Sequence, residues 1–285
     1  MHHIQFPPCP ECGHPLLFVE GALRCLRCGH AKAKRKADAE ERYAYNVEVA
    51  RAAHKNLLKN VDGSWDYALR RGITPDAIET WGIGYLPKDH GFQLVFGEYD
   101  DGSPKKDSFW RRLIFPVKSL KGDTVIGFVG RIIDPVDRPK YVNTSSHEDS
   151  KYIKGDILYG YSLVERNPEV LCVAEGPLDT ISMWSHGYTV VGTLGCCPTT
   201  AQIGLILRKK PENICIAYDS DVAGRNAKRK TIARLTEVGY SQEKIFCLST
   251  PEAKDIDEAL VKGSPVEILT ASEWLDKYGK EEEER

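Results

Sequence analysis

Two apolar runs in the second half of the chain each deliver carboxylates at their C-terminal ends. VLCVA (170–174) leads into Glu175, with Asp179 shortly after it, and ICIAY (214–218) leads into Asp219 and Asp221. Each run has the length of a buried strand. In an open parallel sheet, ligands collect in the crevice beyond the carboxyl ends of the strands. Adjacent strands lie about 4.8 Å apart, so these carboxylates converge if the two strands are neighbours. Carboxylates that close repel one another unless protons or cations intervene. Mg²⁺ takes hard oxygen ligands from carboxylates and water, so the pattern predicts a Mg²⁺ site for phosphate chemistry. A DxD after a strand serves as readily as a helix cap or a surface pair. The glutamate on a companion strand is what favours the metal.

A second group of ligand types stands at the N-terminus. CPECGHPLLFVEGALRCLRCGH carries Cys9, Cys12, Cys25 and Cys28 in the spacing C-x2-C-x12-C-x2-C. Two such knuckles around a short hairpin supply four thiolates to one tetrahedral Zn²⁺. No βαβ pattern surrounds them, which argues against redox pairs. His14 and His30 follow the knuckles, but four cysteines already complete a closed site. Arg24, Arg27, Lys32, Lys34, Arg35 and Lys36 give this zinc ribbon a basic rim suited to nucleic acid. Cys172, Cys215 and Cys247 lie inside apolar runs and read as small buried hydrophobes. Cys196 and Cys197 follow Gly195 in an expected loop.

The elements that must position these groups emerge from composition and periodicity. The 285 residues, 41% hydrophobic and 28% charged, have the make-up of a globular protein. There is room for one large domain or two ordinary ones with an appendage. No apolar run reaches the roughly 20 residues of a membrane span, and no signal-peptide core opens the chain, so no membrane and a cytoplasmic location are expected. The net charge of -2 carries no global nucleic-acid signal, so such a partner would be held by local basic patches.

AKAKRKADAEERYAYNVEVARAAHKNLL (31–58) lacks Gly and Pro and predicts a helix tethering the ribbon to the next domain. DYALRRGITPDAIETWGIGYLP predicts a helix ending near Arg71, a short helix capped by Thr74 with Pro75 at its first position, and a strand. RRLIFPVKSLKGDTVIGFVGRIID alternates apolar and polar residues around Lys121–Gly122–Asp123 and predicts a hairpin. Basic residues punctuate this region. Arg131, at the end of an apolar strand, and Lys140 and Lys154 are expected to be functional. Arg111, Arg112, Lys118 and Lys151 are expected to be solvated charge.

Taken together, these segments resemble the bacterial and phage DNA primases of the DnaG type, from Cys9 to about Leu260. RGITPDAIETWGIGYLP resembles the opening of that family's RNA polymerase domain. RLIFPV, GFVGR, PKYVNTS and KYIKGDILYG resemble its basic template- and nucleotide-binding subdomain. AEGPLDT and YDSDVAGRNA resemble the two acidic motifs of its Toprim subdomain, and KDIDEAL its trailing acidic motif. Their order behind a zinc ribbon makes the resemblance specific.

The resemblance implies an α+β and α/β multidomain chain. Its parts are a zinc ribbon over 1–31, a helical linker over 32–58, a mixed α+β basic subdomain over 59–165, a Toprim subdomain with a central parallel sheet over 166–270, and a charged tail over 271–285. It implies RNA primer synthesis on single-stranded DNA by metal-dependent nucleotidyl transfer, with the ribbon reading the initiation site. Glu175, Asp179, Asp219 and Asp221 then stand at catalytic positions. Asp255 and Asp257 join Glu175, Asp219 and Asp221 around Mg²⁺ or Mn²⁺. Arg131, Lys140, Asn143 and Lys154 fall on substrate-binding positions. The implied partners are the template, ribonucleoside triphosphates and a replicative helicase.

Pro177 and Ser220 depart from the family pattern, Ser220 standing where a glycine is frequent between the aspartates; neither change removes a ligand. The four-cysteine ribbon and the compactness are more like phage members. The helicase-contacting C-terminal region of bacterial members is expected to be missing. Two rivals share parts of this pattern: another Toprim-type metal-dependent nuclease or topoisomerase, and a non-catalytic zinc-dependent nucleic-acid-binding replication accessory.

Overall fold

The computed structural model describes residues 39–92, 109–134, 139–144, 152–195 and 197–278, with backbone alone for 17–19, 22–24 and 39–42. Near the N-terminus, strands β1 (Leu17–Val19) and β2 (Ala22–Arg24) pair antiparallel, as the insert between the cysteine knuckles predicts. Cys9, Cys12, Cys25 and Cys28 lie outside the described residues. The chain divides into two compact units, the second comprising Ala68–Thr80, Leu120–Gly122 and everything from Lys154 onward.

The first unit contains helix α1 (Ala39–Leu58). Helix α2 (Ser64–Arg70) begins in this unit, while helix α3 (Pro75–Trp81) lies almost wholly in the second. Strands β3 (Gly84–Leu86), β4 (Arg112–Lys118), β5 (Val125–Ile132) and β6 (Tyr141–Asn143) form an antiparallel sheet in that order. The expected hairpin is β4–β5, and Gly122 in its turn has φ +79°, a backbone region that glycine enters without steric cost. Thr74 caps α3, its hydroxyl accepting from Ala77 N at 3.2 Å.

α1 corrects the expected linker. Val49, Ala53 and Leu57 on one of its faces are completely buried, the first two in a core with Leu86, Phe109, Ile114 and Phe128. Asn46 donates to Val125 O at 3.1 Å and Asn56 to Tyr85 O at 3.3 Å. Spaced three to four residues apart, these side chains form an apolar stripe that seats the helix on the sheet. It is a structural layer of the unit and no mere tether.

In the second unit β7 (Val170–Ala174), helix α4 (Pro177–Ser185), β8 (Val190–Gly192) and helix α5 (Thr200–Arg208) come first. β9 (Asn213–Ala217), helix α6 (Val222–Glu237), β10 (Ile245–Ser249) and helix α7 (Ile256–Lys262) come next. β11 (Glu267–Thr270) and helix α8 (Ala271–Tyr278) close the unit. The sheet order is β11-β10-β9-β7-β8, parallel throughout except for the β10–β11 edge. β7 and β9 are buried on both faces: Leu171, Val173, Ile214 and Ile216 in one core, Cys172, Ala174, Cys215 and Ala217 in the other. That is why both read as unbroken apolar runs. Cys172, Cys215 and Cys247 are buried as expected.

Two expected boundaries move. Lys154 belongs with the parallel-sheet unit rather than with a subdomain ending at 165. The buried amide of Gln202 explains this: its Nε2 donates to Lys154 O at 3.2 Å, Ile157 O at 2.8 Å and Thr193 O at 2.9 Å. The expected tail from 271 begins instead with α8. Trp274 is 1% exposed and packs into the core with Ala271, because an indole regains far more by burial than its charged neighbours lose.

Candidate metal centre and its basic surroundings

β7 and β9 are hydrogen-bonded neighbours in parallel register, Ala174 opposite Ala217. Glu175 and Tyr218 therefore leave the sheet side by side, and Asp219 and Asp221 come immediately after. α4 starts at Pro177, whose missing N–H costs nothing in a first helical turn. Asp179 reaches back to accept from Gly176 N at 3.1 Å. Asp221 caps α6, accepting from Gly224 N at 2.7 Å, and Asp255 caps α7, accepting from Glu258 N at 2.8 Å. The cap reading of an acidic pair is thus realised here, each bond engaging one of a carboxylate's two oxygens. Gly224 allows the tight approach: a Cβ there would lie 2.1 Å from Asp219 O.

The six acidic residues expected at the site are electrostatically coupled. Burial pushes Glu175 up to about 7, with Asp219 and Asp221 adding to it and Lys154 opposing. Burial pushes Asp179 up to about 8, followed by Asp219, Asp255 and Asp257. Asp219 is also raised, by burial and then by Asp255 and Asp221, against Lys254 and Lys228. Like charges gathered on one sheet edge cannot all ionise comfortably, and this electrostatic deficit is what a divalent cation relieves. Among the described residues no group of three or more His, Cys, Asp or Glu side chains is placed to hold a metal ion.

The predicted cations distribute in two ways. Lys154, in the 3-10 turn Lys154–Asp156, lies close enough to Glu175 to oppose its upward shift. Arg131 and Lys140 gather in the first unit around Tyr141. Arg131 is 7% exposed, donates from Nε to Tyr67 OH at 3.1 Å and from Nη1 to Tyr141 OH at 2.6 Å, and stacks on the Tyr141 ring. Lys140 Nζ lies 5.8 Å from the same ring. Asn143 Oδ1 accepts from Tyr152 OH at 3.3 Å.

Sequence reasoning gives four further residues no role here. Arg112, expected as solvated charge, is fully buried, its guanidinium donating to Lys140 O at 3.1 Å and Pro139 O at 2.8 Å. It fixes the backbone that presents Lys140. Arg71 pairs with the buried Asp257 at 2.6 Å; its place at the head of the RGITPDAIETW motif was the available signal. Arg225 donates to Ser220 O at 2.7 Å and braces the Asp219–Asp221 turn. Lys228 is buried, held down to about 8 by desolvation, and donates to Leu248 O at 2.7 Å. It is a positive charge within electrostatic reach of Asp219.

Residues 172–260 match the Toprim-like family, and residues 92–165 match the N-terminal domain of the DNA primase catalytic core. The parallel-sheet unit is thus the Toprim-like part of a mixed α+β catalytic core. DNA primase of Pasteurella multocida is 31% identical over 235 residues, covering 75% of this chain and 39% of that protein. DNA primase of Aquifex aeolicus is 32% identical over 246 residues, covering 80% and 45%. A solved DnaG primase catalytic domain bound to single-stranded DNA superposes with TM-score 0.66 at 25% identity, covering 84% of this chain and 86% of that one. The Aquifex aeolicus primase structure with zinc-binding and RNA polymerase domains covers 97% of this chain and is itself covered to 81%, with TM-score 0.65 at 24% identity. The chain belongs to the DnaG-type primases. It spans less than half the length of these two bacterial relatives.

Proposed function

We propose that this chain synthesises short RNA primers on single-stranded DNA by metal-dependent nucleotidyl transfer. The observation that carries the reading is the delivery of Glu175 and the Asp219/Asp221 pair from adjacent parallel strands, in a Toprim-like unit of a DnaG-type chain. Single-stranded DNA is bound by a related catalytic domain of the same fold. Nucleotidyl transfer needs positioning and charge neutralisation more than covalent help. Glu175, Asp219 and Asp221, with Asp255 and Asp257, would hold Mg²⁺ or Mn²⁺; Asp179 completes the cluster. A bound divalent ion supplies Lewis acidity toward the attacking hydroxyl and the departing pyrophosphate.

Lys154 offsets charge beside Glu175 and suits the triphosphate of an incoming ribonucleotide. Arg131, Lys140 and Asn143 suit template and nucleotide, Arg131 holding its guanidinium in a fixed plane between two tyrosine hydroxyls. Cys9, Cys12, Cys25 and Cys28 carry the donor chemistry of a structural Zn²⁺ around the β1–β2 hairpin and would read the initiation site. No described helix is long and apolar enough to cross a membrane, and we place the activity in the cytoplasm, with a replicative helicase as a candidate partner.

The test offers a single-stranded template, four ribonucleotides and Mg²⁺, and scores short RNA, strand cleavage or binding alone. Short RNA from the parent and none from folded Asp219→Asn is the expected result. Cleavage of the template would point to a nuclease, binding without synthesis to an accessory protein, and normal synthesis by Asp219→Asn would remove the site assignment.

A further inference from the structure

The turn Asp219–Ser220–Asp221 is joined to the segment after β10 by a closed set of hydrogen bonds. Ser220 Oγ and Thr250 Oγ1 are 2.9 Å apart, and Thr250 N donates to Ser220 Oγ at 3.3 Å. Thr250 Oγ1 also donates to Ala253 O at 3.0 Å. A threonine hydroxyl has one proton. With that proton directed at Ala253, Ser220 is the donor in the pair. Each hydroxyl therefore gives one bond and receives one. Ser220 N donates to Lys254 O at 3.3 Å, tying the same two segments through the backbone.

Thr250 is 3% exposed. A residue without a hydroxyl at 220 would take the acceptor from the Thr250 N–H and the donor from Thr250 Oγ1, which keeps its bond to Ala253 O; a buried N–H left without a partner is costly. The Thr250–Lys254 segment ends directly at Asp255, which caps α7, and Asp257 lies in that helix's first turn. The two segments so joined carry Asp219 and Asp221 on one side and Asp255 and Asp257 on the other.

We propose that Ser220 and Thr250 form a hydroxyl latch that sets the spacing of the two acidic pairs, and thereby the divalent-cation affinity of the cluster. Neither side chain touches the ion; both are positioning residues. The inference rests on the reading of the cluster as a cation site. A metal site's supporting hydrogen bonds commonly govern affinity by 10–100-fold.

The test measures Mn²⁺ binding to the full-length chain by electron paramagnetic resonance of the free ion, alongside thermal melting. The variants are Ser220→Ala, Thr250→Val, the double variant, Thr250→Ser and Asp219→Asn. Ser220→Ala and Thr250→Val should each weaken Mn²⁺ binding about ten-fold, and the double variant should lose no more than either single change. Thr250→Ser, which keeps every bond, should bind as the parent does.

In primer synthesis, Ser220→Ala should need about ten-fold more Mg²⁺ for half-maximal rate. It should recover most of the parent's rate at saturating Mg²⁺, a split that a general loss of folded protein does not produce. Parent-like Mn²⁺ binding by both single variants, with Asp219→Asn deficient, would overturn the latch and leave the cation site standing. Parent-like binding by Asp219→Asn would overturn both. If Ser220→Ala does not fold, Thr250→Val against Thr250→Ser makes the same comparison.

Discussion

Glu175→Gln should stabilise the metal-free protein while abolishing primer synthesis. The carboxyl of Glu175 is raised from 4.5 to about 7, chiefly by burial and then by Asp219 and Asp221. The folded state therefore holds a proton more tightly than the unfolded chain. Stability contributed by that proton is present below about pH 4.5 and is lost as pH rises through 7. Above pH 7 the ionised side chain would cost about 3 kcal/mol at 1.36 kcal/mol per tenfold change in proton affinity. It keeps partial access to water, and screening reduces that to about 1–2 kcal/mol.

Glutamine keeps the shape and removes the charge. In magnesium-free buffer at pH 8 the variant should melt about 3–6 °C higher than the parent, and the difference should shrink toward pH 5, where the parent's carboxyl is protonated. Mg²⁺ should raise the parent's melting temperature and shift the variant less, because a cation relieves the repulsion that the substitution has already removed. Melting curves at four pH values, with and without Mg²⁺, read all of this. A folded variant melting at or below the parent at pH 8, with the same pH slope, would refute the argument that repulsion at this edge destabilises the free protein.

Other expected outcomes rest on single contacts. Gly224→Ala drives a methyl against Asp219 O at 2.1 Å and should cost about 1–3 kcal/mol in denaturant unfolding, with primer synthesis lost. Arg71→Ala removes the 2.6 Å partner of buried Asp257; a loss of about 1.5–3 kcal/mol is expected for a charged hydrogen bond, read by urea unfolding in magnesium-free buffer. Elemental analysis should find one zinc per chain, and Cys25→Ser should lower both zinc content and initiation on natural template sequence.

The strands that carry the acids were legible because a strand buried on both faces leaves an unbroken apolar run, and Glu175 and Asp219 end such runs. Thr74 with Pro75 announced α3, and the Lys121–Gly122–Asp123 break announced the hairpin, since capping and turn chemistry are local. Arg112 was not legible. A guanidinium is read as solvated unless something accepts its protons, and its acceptors are carbonyls of residues 139 and 140, distant in the chain. α8 was missed because its composition resembles the acidic tail after it, while Trp274 finds its pocket only among side chains from other elements. α1 passed for a tether because its buried stripe is spread thinly among Glu, Arg and Lys.

The sequence by itself determined the ligand types, the strand ends that bear them and, through ordered motifs, the family. Those are properties of short segments: residue chemistry, hydrophobic period and turn preference. Only the tertiary structure decided that β7 and β9 are neighbours, since pairing partners are chosen by packing across the whole sheet. It also decided that Asp255 comes near enough to Asp219 to repel it, and that Lys228, Arg71, Ser220 and Thr250 stand around the acids. Such placements depend on groups up to 186 positions apart in the chain, and only the packed fold brings them within reach.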